Sequence, residues 1–220
     1  MKKASKRQLA IWRETAAFRN MAHALALLQE VGLDTANLAV SGSAALHAVM
    51  TCYHGAFYFR PADVDFFFVG EKGDIREWFG ALVDRPATIV HQPSDRCLRI
   101  SASVDGEAVG FDVVFDCLGF GPHATADGTR FDISVCEIGF MADLAVQGRP
   151  DFFAADGVFD EVFRGRMRVS EDAVKLPEGF DPRLCPPRPY ARVLMYESRG
   201  FVAVPDPVYT EIVRARPSPY

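Results

Sequence analysis

Arg60-Pro61-Ala62-Asp63-Val64-Asp65-Phe66-Phe67-Phe68-Val69-Gly70 decides how this chain is read. Its aromatic and β-branched residues favour a central strand, and the glycine marks the strand's end. Side chains alternate across a strand, so Asp63 and Asp65 project from the same face. Two carboxylates held that close repel each other unless a cation lies between them. Oxygen-only ligation with open water positions is what Mg²⁺ prefers, and two such ions about 3.5–4 Å apart clamp the attacking and leaving oxygens in phosphoryl transfer. A third carboxylate on a neighbouring strand would complete the set. Asp112 in Gly110-Phe111-Asp112-Val113 and Asp132 in Arg130-Phe131-Asp132-Ile133 are the two candidates.

Upstream, Leu38-Ala39-Val40 reads as a short buried strand running into Ser41-Gly42-Ser43, after which Ala44 to Tyr53 has helical composition. In a strand, tight turn, helix unit of this kind, Gly42 lets backbone approach a phosphate closely. The Ser43 hydroxyl adds a donor, and the first N–H groups of the helix attract an anion.

These pieces together resemble the nucleotidyltransferase superfamily of DNA polymerase beta, poly(A) polymerases and minimal antibiotic nucleotidyltransferases. A closer likeness is to nucleotidyltransferase-like proteins of large DNA viruses and some microbes. It is carried by Phe131-Asp132-Ile133-Ser134-Val135-Cys136-Glu137-Ile138-Gly139-Phe140 and by Arg192-Val193-Leu194-Met195-Tyr196-Glu197-Ser198-Arg199-Gly200-Phe201. The resemblance spans roughly residues 38 to 201. It implies an α/β (α+β) fold, a mixed sheet with flanking helices and a small C-terminal helical cap. It further implies transfer of a nucleoside monophosphate from an NTP such as ATP to an acceptor hydroxyl. Asp63 and Asp65 would bind Mg²⁺ or Mn²⁺, with Asp112 or Asp132 as the third carboxylate; the wider superfamily favours Asp112 and the closer relatives favour Asp132. Gly42 and Ser43 would hold the triphosphate, and Arg60, Arg192 and Arg199 are further phosphate contacts. Tyr196 could stack a base, although an aromatic residue on a helix more commonly belongs to the core. The acceptor is open: a toxin-like enzyme acting on tRNA or a protein is one alternative, and a catalytically silent binding protein is another.

The rest of the chain is compatible with an enzyme domain. With 49% hydrophobic and 24% charged residues among 220, the chain has globular composition, and no run approaches the ~18 apolar residues of a membrane span. Eighteen phenylalanines against two tryptophans point to a Phe-rich interior. The net charge of −5 argues against a nucleic-acid coat, yet residues 183 to 220 hold six arginines and three acids. That basic segment suits phosphate contacts, with RNA one candidate partner. Five widely spaced cysteines without C-x-x-C and five histidines without ligand spacing predict neither a disulfide framework nor a zinc site. The basic N-terminus lacks a signal-peptide core, so a cytoplasmic protein is expected.

The remaining elements follow from periodicity. Residues 6 to 31 read as one helix, Asp74 caps a helix through Val83, and Thr88-Ile89-Val90 is a strand. Asp105-Gly106 closes a hairpin between Leu98–Val104 and Glu107–Phe115. The glycine-rich 116–129 reads as a loop, 131–140 as a strand with one buried face, and 190–198 as a short helix. Residues 1–176 are assigned to the main domain and 177–220 to the cap.

Overall fold

The computed structural model describes residues 4–55, 59–61, 63–69, 74–115, 131–175 and 188–214. The chain begins with two helices, α1 (Lys6–Arg13) and α2 (Ala16–Glu30), where periodicity predicts one. Thr15 breaks them apart: it adopts extended backbone and its hydroxyl accepts from the Phe18 N–H, while Ser5 and Gln8 form a capping box ahead of α1. A short hydroxylated side chain that can cap a new helix competes with continuing the old one.

Strand β1 (Leu38–Ser41) follows the Asp34 turn and leads directly into α3 (Gly42–His54), which Gly55 terminates in left-handed backbone. Next come β2 (Val64–Phe68), α4 (Ile75–Val83) with Asp74 as its cap, β3 (Thr88–Ser94), β4 (Cys97–Val104) and β5 (Glu107–Val114). Asp105 and Gly106 both have positive φ, 51° and 82°, as a two-residue hairpin turn requires. After residue 130 the chain forms a 3₁₀ turn (Ser134–Cys136), β6 (Ile138–Met141), α5 (Ala142–Val146), β7 (Phe153–Ala154), α6 (Val158–Phe163), β8 (Arg166–Ser170) and α7 (Glu171–Val174). Helix α8 (Arg188–Ser198), strand β9 (Val202–Asp206) and helix α9 (Pro207–Arg214) complete it.

The expected strand over 131–140 is a strand only from Ile138. Residues 133–140 are all buried, so their apolar content reflects enclosure on every side, and the Ser134 hydroxyl is tied into the interior by the Arg168 N–H and Glu161. The C-terminal region is more than helical, since β9 pairs in parallel with β8 in a second, two-stranded sheet. The loop expected over residues 116–129 lies outside the described residues.

Among the described residues, seven strands form the main sheet in the order β3-β4-β5-β2-β1-β6-β7, antiparallel throughout except for the parallel β2–β5 pair. Helix α2 lies against β5 and β2, α3 against β1 and β6, and α4 against β3 and β4. The class is therefore α+β, a mostly antiparallel sheet flanked by helices. Among the described residues no helix is long and apolar enough to cross a membrane.

Phe66 and Phe67 point to opposite faces of β2 and both are 0% exposed, which makes β2 a strand buried on both sides. Phe66 meets Phe111 edge-on, Phe67 meets Phe131, and Phe68 packs with Trp78 and Phe115. Each such buried ring contributes roughly 1.5–3 kcal/mol. This core anchors the strand whose N-terminal end carries Asp63 and Asp65.

Candidate functional site

Strand register places the polar residues. Ser41 of β1 pairs with Asp65 of β2, Asp65 with Asp112 of β5, and Asp112 with Arg99 of β4. Cross-strand partners share a face, so Asp65, Asp112 and Arg99 form one row across the sheet. Asp63 stands just before β2, two residues from Asp65.

At the end of β1 the chain turns through Gly42 into α3. Gly42 has φ +70°, and a Cβ there would lie 3.1 Å from Asp65 Oδ2. Glycine thus permits the left-handed turn and the close approach of the helix start to a carboxylate. Ser41 makes no side-chain cap on α3; its hydroxyl lies 2.9 and 2.7 Å from the carbonyl oxygens of Cys136 and Ile138. That bond joins the turn to the 134–138 segment.

Gly42, Ser43, Asp63, Asp65 and Asp112 line one cleft of about 130 Å³ together with Arg99, Phe131, Arg188, Arg192, Met195 and Tyr196. The far wall is α8. Burial, followed by the charges of Asp63 and Asp112, pushes the Asp65 carboxyl up to about 7, against the pull of Arg192 and Arg99. Asp63 is raised for the same two reasons, burial first and Asp112 second, with Arg99 and Arg188 opposing. Carboxylates that raise one another's proton affinity are a donor set short of positive charge.

Arg99 offsets part of that shortage. Its Nε and Nη2 donate to the two oxygens of Asp112 at 2.9 and 2.7 Å, and this forked bond holds the guanidinium well above its ordinary proton affinity. Among the described residues, no three His, Cys, Asp or Glu side chains are placed together to hold a metal ion. The Asp63–Asp65 pair nevertheless fits Mg²⁺ in donor chemistry, because that ion is commonly held by one or two carboxylates, waters and substrate phosphates.

Other residues singled out in the sequence fall elsewhere. Asp132, which the closer likeness favours as third carboxylate, does not line the cleft; its Oδ1 is 2.6 Å from Arg192 Nη1. The acid that stands beside Asp65 is Asp112, because β5 is the strand paired with β2 there. Arg192 lines the cleft while holding Asp132, and its Nη2 lies 3.6 Å from Cys136 Sγ. Arg60 is exposed on the 59–61 segment and Arg199 lies just past the end of α8; neither lines the cleft. The Arg199 guanidinium instead sits 4.0 Å from the Phe59 ring centroid and 4.8 Å from that of Tyr196. Tyr196 is 1% exposed, with its hydroxyl 3.1 Å from Cys136 Sγ, and so belongs to the core rather than to a base-stacking surface.

Sequence reasoning missed Arg99 and Arg188. The signal for Arg99 was present: counting equally along both strands from a two-residue turn at Asp105-Gly106 brings Arg99 opposite Asp112. Arg188 opens α8 after a proline-rich stretch, and no local pattern assigns such a residue to a cleft. No protein-family model matches the chain, and no curated protein matches it.

Proposed function

We propose that the protein is a nucleotidyltransferase-like enzyme that moves a nucleoside monophosphate from an NTP to an acceptor hydroxyl. The observation that carries this reading is the meeting of Asp63, Asp65 and Asp112 with the Gly42-Ser43 turn in one small polar cleft. In the reaction the acceptor oxygen bonds to the α-phosphorus, the bond from that phosphorus to pyrophosphate breaks, and the acceptor's proton leaves. Mg²⁺, when bound, would neutralise phosphate charge and lower the proton affinity of the attacking hydroxyl.

The chain's own residues supply the rest. Asp63 and Asp65 hold the cation in a site where mutual repulsion of the carboxylates favours its entry. The α3 N-terminus and the Ser43 hydroxyl receive phosphate oxygens, and Gly42 keeps the backbone clear of the Asp65 carboxylate. Arg188 and Arg192, which line the same cleft, bring positive charge to the triphosphate. Asp112 stands beside Asp65 as the third carboxylate.

Asp65→Asn tests the reading. It keeps the shape and removes the charge, so calorimetry should show Mn²⁺-dependent ATP binding in the natural protein and at least a tenfold weaker response, roughly, in the variant. Thermal unfolding at pH 8 should show the variant folded and no less stable, since it sheds a carboxylate that burial disfavours. Equal metal-dependent binding by the two proteins would reject the assignment.

A further inference from the structure

Arg99 takes both oxygens of Asp112, and the two side chains differ sharply in freedom: 54% of the Arg99 side chain is exposed against 4% of Asp112. We propose that Arg99 is a positioning residue that withholds Asp112 from a cation until a triphosphate offers the guanidinium another partner; the inference rests on the nucleotidyltransferase reading above. The third carboxylate then joins the site only when nucleotide is present.

The cleft supplies both halves of such an exchange. Arg99 lines it together with Gly42 and Ser43, so an anion seated on the α3 turn lies in the space that the guanidinium also faces. Phosphate oxygens match the planar fork of an arginine as well as carboxylate oxygens do. A divalent ion approaching Asp112 while Arg99 is in place meets a like charge and a carboxylate whose oxygens are both engaged. The exchange leaves no charge uncompensated, for Asp112 passes from guanidinium to cation as Arg99 passes from carboxylate to phosphate. Asp112 cannot itself retreat: it is 3% exposed, on a strand paired on both sides. The mobile partner must be the arginine, whose side chain is 54% exposed.

A purely structural ion pair makes a different prediction. Removing one partner of a buried pair strands the other charge and lowers stability, with no reason for metal affinity to rise. Positioning predicts effects of opposite sign on two ligands. Calorimetry with Mn²⁺ alone, on the full chain, should show Arg99→Gln binding the ion about tenfold more tightly than the natural protein, because a third carboxylate charge is released to it. The same variant should bind a non-hydrolysable ATP analogue in saturating Mn²⁺ about tenfold more weakly, having lost a phosphate contact. Arg99→Lys keeps a cation beside Asp112 without the fork and should fall between the two on both measures; it carries the test if the Gln variant does not fold. Unchanged or weaker Mn²⁺ binding in the Arg99 variants, alongside normal Mn²⁺-dependent analogue binding by the natural protein, would overturn this inference alone. No metal-dependent analogue binding by the natural protein would overturn the nucleotidyltransferase reading together with it.

Discussion

At Gly42 two demands meet on one residue: left-handed backbone, and a helix start that must abut a carboxylate. An alanine there would pay a conformational penalty of roughly 1–2 kcal/mol and would also press its Cβ against Asp65. Gly42→Ala should therefore lower stability by about 1–3 kcal/mol in urea unfolding. It should also displace Asp65, so the variant should lose metal-dependent nucleotide binding even where it remains folded. A variant as stable as the natural protein would show that the turn relaxes, and that the close approach of α3 to Asp65 is not required. Gly42 was legible as a turn residue from the strand, glycine, helix order, but its second constraint was not, because it depends on a side chain more than twenty positions away.

At the scale of elements, the break between α1 and α2 shows how a single hydroxyl redirects a helical pattern. The apolar spacing continues through residues 6 to 31, yet Thr15 caps a new helix instead of extending the first. The division lets Trp12, 2% exposed, pack edge-on against both Phe18 and Phe140. Thr15→Ala removes the cap and should cost about 1 kcal/mol, or roughly 2–4 °C in melting temperature for a chain of this size. Circular dichroism melting checks this, and a melting point equal to that of the natural protein would show that the aromatic packing alone sets the break. Strands β3 to β5 and the hairpin turn were readable from propensity because their hydrogen bonds are local. The 131–140 segment was misread for the opposite reason: its neighbours, including Arg168, Glu161 and Tyr209, are remote in sequence, and they bury residues that an isolated strand would expose.

Across the whole molecule, α9 is fastened to that segment through Glu137. The residue is 5% exposed, and its Oε1 receives the Phe131 N–H at 3.4 Å and the Tyr209 hydroxyl at 3.2 Å. Burial raises its carboxyl from 4.5 to about 7, while those hydrogen bonds and Arg168 oppose the shift. The folded state then holds a proton that the unfolded state has lost between those two values. The contribution is fully present below pH 4.5 and disappears as pH rises through 7, a difference of roughly 3 kcal/mol. His47 acts oppositely, since burial and then Arg199 lower it to about 4, so its contribution is lost as pH falls from 6.5. The Glu137 effect is isolated by comparison with Glu137→Gln. The variant should gain stability relative to the natural protein as pH rises from 5 to 8, measured by urea unfolding at each pH. A difference independent of pH would mean that Glu137 is ionised throughout.

By itself, the sequence determined the α+β class, the Gly42-Ser43 turn and the nearness of Asp63 to Asp65, because each follows from dihedral preference or from residue pattern and spacing along the chain. It also held the Arg99–Asp112 pairing implicitly, in the arithmetic of a two-residue hairpin. Only the tertiary structure decided which of Asp112 and Asp132 stands beside Asp65. That choice depends on the parallel pairing of β2 with β5, strands separated by a helix and two further strands, and no local spacing encodes which distant strand lies alongside. The place of α8 was decided in the same way. Its Arg192 and Tyr196 meet Asp132 and Cys136 across some sixty residues, and those contacts make one arginine a cleft residue and leave Arg199 stacked on Phe59 behind it.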